Sequence, residues 1–212
     1  MNRLDGFISQ LDGLVVFLAA SHQEVFQTIR EHKLTWFPES QNPRLLKTFK
    51  SYGATVNNAA FLLGYAHFEA FLADLARDIF LQRPALLPQE KQVTVKEVLG
   101  AKSRGDILRL MIDREIRNVF YGKIESVRDY YQNRFQISWP NRPQIVVASR
   151  MRNCLMHNGA RVDERLAEVC ERAVGSRICL ASEEVNEFGI MGRTFAREIW
   201  DEANRRHLKG AG

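Results

Sequence analysis

Apolar residues along this chain recur at steps of three and four, the spacing that lines one face of an α-helix. From Asn2 to about Lys33 they fall at Leu4, Phe7, Ile8, Leu11, Leu14, Val15, Leu18, Val25, Phe26 and Ile29. This predicts one long amphipathic helix or two nearly collinear ones. The run Phe37-Pro38-Glu39-Ser40-Gln41-Asn42-Pro43 reads as a loop. A second long helix is expected from Leu45 to about Gln82, weakened or bent at Gly53 and Gly64. Its second half, Phe61 to Leu75, is apolar around much of its circumference, the pattern of a helix at the centre of a bundle.

Arg83 to Gln92 reads as a linker. Thr94 and Glu97 then form a capping-box pattern for a short helix to Leu99. Asp106 is placed to cap a helix reaching about Gln132, with the stripe Ile107, Leu110, Met111, Ile116, Val119, Phe120, Ile124 and Val127. Ile137 to Pro143 breaks that pattern, and Pro143 suits the first turn of a helix ending near His157. The pair Asn158-Gly159 suits a left-handed C-cap, because glycine has no Cβ to clash and asparagine tolerates positive φ. Asp163 to Ala173 is compatible with a further helix, Gly175 to Leu180 with a short extended piece, and Ser182 with the cap of a last helix to Arg206. Lys209 to Gly212 should be a frayed tail. The expectation is an all-α fold: an antiparallel bundle of long helices with a short extended segment before the last one. It forms a single domain over 1–212, with a core from about 44 to 206 and the helix of 2–33 packed on it.

The 212 residues suffice for a well-buried core, and 45% hydrophobic with 26% charged residues is ordinary for a soluble globular protein. A net charge of +5 permits an anionic partner without requiring one. Cys154, Cys170 and Cys179 form no CxxC pair, which points to small buried hydrophobes in a reducing compartment and not to a disulfide framework or zinc site. The apolar run Leu14 to Ala20 is too short to span a bilayer, and Asp5 and Asp12 spoil a signal-peptide reading. A cytoplasmic location without membrane association is therefore expected. No P-loop, dinucleotide-binding glycine pattern, HExxH or GxSxG occurs, and the five histidines are scattered, so no metal and no cofactor are expected.

Candidate chemistry gathers between Ser149 and Gly159. A turn of about 100° per residue places Val147, Ala148, Met151, Cys154 and Leu155 on the core side. Ser149, Asn153 and Met156 point nearly opposite. His157 follows Asn153 by one turn on the same edge, and Arg152 lies on the other flank. A polar face rimmed by Val146 and Met156 suits burial against another chain. No Asp or Glu occurs from Tyr130 to Val162, whereas Arg134, Arg142, Arg150, Arg152 and Arg161 do, and such a positive region suits phosphate held by guanidinium forks. Two roles are open to His157: proton transfer, or contact with the free carbonyls and negative dipole at a helix end. Arg152 can equally be a solvated surface residue. Glu69, a carboxylate in an apolar helix, needs a partner, either in a structural ion pair or near the site. His67 reads as an ordinary satisfied histidine.

Arg152-Asn153-Cys154-Leu155-Met156-His157 has the form arginine, polar residue, three residues, histidine. It resembles the motif of the HEPN-domain ribonucleases. The helix bearing Tyr65-Ala66-His67-Phe68-Glu69-Ala70-Phe71-Leu72 is similar to the second-helix signature of the RiboL-PSP-type branch. So is the succession of His157-Asn158-Gly159, Asp163, an extended piece and a last helix. The resemblance spans roughly Ala54 to Trp200. It implies a metal-independent endoribonuclease that pairs as a homodimer across facing Arg–His motifs. His157 would act as general base or acid at the 2′-OH, Arg152 would hold the scissile phosphate, and Asn153 would orient either. Glu69 would support Arg152 or His157, and Arg150, Arg161 and Arg142 would bind RNA. The products would be a 2′,3′-cyclic phosphate and a 5′-OH. A role in a toxin–antitoxin or phage-defence system would add an antitoxin or inhibitor protein as partner. The alternatives are a non-catalytic HEPN-like module that binds RNA, nucleotide or protein, and a plain helical scaffold.

Overall fold

The computed structural model describes residues 2–14, 42–89, 93–120 and 122–208, with side chains described from 53 onward in the second stretch. Residues 3–14 form helix α1. The rest of the expected N-terminal helix, most of the loop after it, and the tail from Lys209 lie outside the described residues. The later helices are α2 Asn42–Gln82, α3 Val95–Gly100, α4 Arg104–Phe120, α5 Ile124–Asn133, α6 Gln144–His157, α7 Glu164–Ala167 and α8 Ser182–Ala203. A 3-10 turn at Pro84–Leu86 and a π-helical turn at Asn204–Leu208 complete them. The fold is all-α.

Helix α2 is the hub: α4, α6, α8 and the C-terminal π turn all pack on it. The reason is visible in its side chains. Phe61, Tyr65, Phe68, Leu72, Leu75, Ala76, Ile79 and Phe80 are all buried, and they cover more than one face. By length and composition Gly53–Gln82 is apolar enough to cross a membrane, and half of the stretch meeting that test is buried inside this fold. Helix α1 docks through Phe7, Leu11 and Leu14, with the Phe7 ring stacked 5.1 Å from Phe71. Its Arg3 donates to Asp74 at 3.2 Å and to Asp78 at 3.1 Å on α2. Gly64 of α2 faces Leu14 of α1 and Phe188 of α8, and a Cβ there would stand 3.4 Å and 3.5 Å from them, ordinary contact distances that an alanine could fill.

Several local expectations hold and several shift. Thr94 and Glu97 do form a capping box on α3. The helix expected from Asp106 to Gln132 is divided, because Gly122 and Lys123 interrupt it between α4 and α5. Ser103, not Asp106, caps α4: its hydroxyl accepts from the Asp106 amide at 3.2 Å, while the Asp106 carboxylate accepts from the Lys102 amide at 3.2 Å. Asn42-Pro43 belongs to the first turn of α2, where a proline loses no needed donor. The helix over Asp163–Ala173 shrinks to the four residues of α7, with Asp163 as its N-cap. The extended piece makes a single antiparallel bridge, Arg161 with Arg177. Ser182 sits inside α8, whose N-cap is Ala181, the Ala181 amide donating to Glu184 at 2.9 Å. Of the cysteines, only Cys154 is fully buried, and Cys179 is exposed.

Between α5 and α6 the chain is irregular yet anchored. Phe135 and Ile137 are fully buried, with Gln136 between them at φ 55°. Trp139 meets Phe195 of α8 at 4.8 Å, and the Tyr131 hydroxyl donates to the Leu72 carbonyl of α2 at 2.7 Å. These contacts set where α6 begins.

Candidate functional site

Helix α6 presses Ile145, Ala148, Met151 and Cys154 into the core. Steps of three leave both flanks of that stripe partly exposed. One flank faces α2. There the Arg152 guanidinium donates through Nη2 to Glu69 at 3.3 Å and through Nη1 to the Asn153 side chain at 3.0 Å. One turn earlier on each helix, the buried Tyr65 hydroxyl shares a hydrogen bond with Ser149. Ser149 therefore lies against α2 and not on the outward face that rotation alone assigned to it. Burial raises the Tyr65 phenol well above its ordinary value, so it stays protonated.

The Arg152 and Glu69 side chains are 32% and 31% exposed. A pair so open to water contributes only about 0–1 kcal/mol, and its main effect is to fix the direction of the guanidinium. Burial raises the Glu69 carboxyl above its ordinary value, and the attraction of Arg152 offsets part of that rise. A carboxyl raised in the folded chain binds its proton more tightly there than in the unfolded chain. Its contribution to stability is complete below the unfolded carboxyl range and is lost as pH rises through the raised value. The Glu69→Gln variant should therefore match the wild type most closely near about pH 4 and gain on it as pH rises toward about 7. Urea unfolding at the two pH values measures this. A shift in the opposite direction would mean that the Arg152 attraction outweighs burial.

The helix end is built by backbone geometry. The Asn158 amide caps α6 by donating to the Cys154 carbonyl at 3.1 Å. The left-handed conformation falls on Gly159 at φ 57° and on the following Ala160 at φ 58°, while Asn158 itself stays at φ −118°. For alanine that conformation is unfavourable. Two hydrogen bonds hold it: Ala160 N–H to Cys154 at 3.1 Å, and Ile178 N–H to the Ala160 carbonyl at 2.8 Å. His157 sits exposed at this end, in the last turn of α6, and Met156 beside it is 55% exposed.

Asn153 and His157 are four residues apart and share an edge of α6. Arg152 and His157 are five apart, which turns them about 140° away from each other around the helix axis. No hydrogen bond joins those two side chains among the described residues. A single chain thus gathers Arg152, Asn153 and Glu69 into contact and places His157 one turn after Asn153 on the same edge.

The remaining arginines separate by their partners. Arg150 pairs with Glu125 at 3.2 Å and approaches Glu168 at 4.0 Å. Arg142 pairs with Glu198 of α8. The acid-free stretch of sequence is therefore not acid-free in space. Helices α2, α5 and α8 carry carboxylates to it, and Arg142 and Arg150 have their charge committed. Arg161 differs: it is exposed and donates to the Gly175 carbonyl at 2.9 Å. Arg177 was not singled out by sequence, and Tyr65 and Ser149 were named there without a role. Tyr65 and Glu69 do stand four apart on one helix, a spacing that was legible, whereas Arg177 had no local signal.

Two pockets open along α6. One of about 200 Å³ lies between Phe61, Met151 and Phe188, and one of about 450 Å³ between Arg128, Trp139 and Val146. Arg152 and His157 line neither of these two. No cluster of three or more His, Cys, Asp or Glu placed to hold a metal ion occurs among the described residues. No protein-family model, curated protein or solved structure matches the chain.

Proposed function

We propose that the protein is a metal-independent HEPN-type endoribonuclease acting as a homodimer, serving in a toxin–antitoxin or phage-defence system with an antitoxin or inhibitor as partner. The observation that carries this reading is the end of α6. Arg152 is steered by Glu69 and Asn153, and an exposed His157 follows Asn153 by one turn. Neutral imidazole of His157 takes the proton of an RNA 2′-OH. The freed oxygen attacks the neighbouring phosphorus, and the bond to the 5′-oxygen breaks. Guanidinium forks stabilise the charge that grows on the phosphoryl oxygens. The departing 5′-oxygen takes a proton from imidazolium, leaving a 2′,3′-cyclic phosphate and a 5′-OH. The angle between Arg152 and His157 on one helix is what gives the second subunit its role: its copy supplies the complementary side chain across the interface.

Purified protein should cut single-stranded RNA in excess EDTA, giving those two ends. The same oligonucleotide with deoxyribose at the cleaved position should survive, because it lacks the attacking group. RNA left intact, or cleavage that appears only with added divalent metal, would overturn the proposal. A second reading, a non-catalytic module that binds RNA, nucleotide or protein, draws on the same ion pair, since Glu69 competes with phosphate for Arg152.

A further inference from the structure

We infer that Arg161 and Arg177 form a two-arginine clamp for a backbone phosphate of single-stranded nucleic acid, beside the end of α6. The clamp rests on the nuclease reading for its setting and on its own geometry for its chemistry. The hydrogen bonds fix the register. Val162 N–H donates to the Ser176 carbonyl at 2.9 Å, and Ile178 N–H donates to the Ala160 carbonyl at 2.8 Å. These bonds flank the antiparallel bridge between Arg161 and Arg177, which makes it a non-hydrogen-bonded pair. In such a pair the two Cα atoms stand about 4.5 Å apart and both side chains leave on one face. Alternation sends the neighbours Val162 and Ile178 inward, where both are buried, and leaves both arginines exposed.

Two like charges directly opposite each other on a bridge repel. Elsewhere in this region the fold neutralises arginines: Arg142 with Glu198, Arg150 with Glu125, Arg152 with Glu69 and Arg172 with Glu184. Arg161 and Arg177 have no carboxylate partner among the described residues. Arg161 spends one nitrogen on the Gly175 carbonyl, which holds its guanidinium in place. The backbone beneath is rigid: Gly175 N–H donates to the Val162 carbonyl at 2.8 Å, and Asn158 Nδ2 donates to the Arg161 carbonyl at 2.9 Å. The last contact ties the clamp to the cap of α6, one residue beyond His157. A phosphodiester lying between the two forks, that of Arg161 held by the Gly175 carbonyl, relieves their repulsion and accepts from both.

The test uses a labelled oligo(dT), which has the phosphates but no 2′-OH, so binding is read apart from cleavage. Arg161→Gln and Arg177→Gln should each weaken binding several-fold at low salt. Each should reduce the slope of log K against log salt by part of about 0.7, and the double variant by about 0.7 in all, the value for one phosphate contact on a single strand. Arg177→Lys should keep the slope and lose part of the affinity, because the charge remains and the fork does not. Circular dichroism and thermal melting confirm that these surface variants stay folded. An unchanged slope in the double variant overturns the clamp. So does displacement of oligo(dT) by millimolar inorganic phosphate at fixed ionic strength, which would assign the pair to the free ion. If wild-type protein never cuts RNA yet the slope falls as stated, the clamp stands and the cleavage chemistry alone is lost.

Discussion

Replacing His157 with alanine should lower RNA cleavage by about 10²–10⁴-fold, the range expected when a positioned general acid or base is removed. Arg152→Ala should cost about 10²–10³-fold, the loss typical when one donor to a developing oxyanion is deleted. Neither variant should unfold. His157 is exposed, and the Arg152–Glu69 pair is open enough to water that breaking it changes stability by about 1 kcal/mol or less. Arg152→Lys separates charge from geometry: the point charge persists, the planar fork does not, and most of the loss should remain. Mixing the inactive His157→Ala and Arg152→Ala chains adds a test of the second subunit. If each site draws its arginine and histidine from different chains, mixed dimers regain activity that neither variant has alone. Full activity in both single variants would remove these residues from the chemistry and leave the binding-module reading.

The largest effect on stability is expected at Phe68, one residue before Glu69. Its ring is 1% exposed and lies 6.4 Å from Phe7, 6.0 Å from Tyr65, 6.5 Å from Phe188 and 5.3 Å from Phe195. These rings come from α1, α2 and α8, so Phe68→Ala opens a cavity where three helices meet. The cost should be about 3–5 kcal/mol, the usual range for a buried phenylalanine whose surroundings collapse only in part. That is a large share of a total stability of about 5–15 kcal/mol. Urea unfolding followed by circular dichroism measures it. A loss below about 1 kcal/mol would place Phe68 in the class of surface substitutions and contradict a shared core for the three helices. Activity should fall with the folded fraction, and the residual activity per folded molecule should stay near that of the wild type.

Much of the helical plan was written in local chemistry. Three- and four-residue apolar spacing marks α1, α2, α6 and α8, because each helix must bury one stripe and the stripe has a fixed period. Thr94 with Glu97 announced the start of α3, since that pair satisfies two amides that a helix start leaves orphaned. Pro143 and Asn158-Gly159 bracketed α6 for the same kind of local reason. The stripe from Ile107 to Val127 is continuous in spacing, yet Gly122-Lys123 parts it into α4 and α5, because apolar spacing alone carries no stop signal.

The site divides along the same line. Sequence by itself determined an all-α chain, a helix stopping beside His157, and a carboxylate at Glu69 that could not remain alone in an apolar helix. Tertiary structure alone decided that its partner is Arg152, across 83 residues of chain. It decided that Glu125 and Glu198 would claim Arg150 and Arg142, and that Arg177 would stand beside Arg161. The physical reason is range. Periodicity, capping and turn preference act over a few residues and can be read in order. Whether a charge is paired or free depends on what other helices bring within about 4 Å, and no local pattern carries that distance.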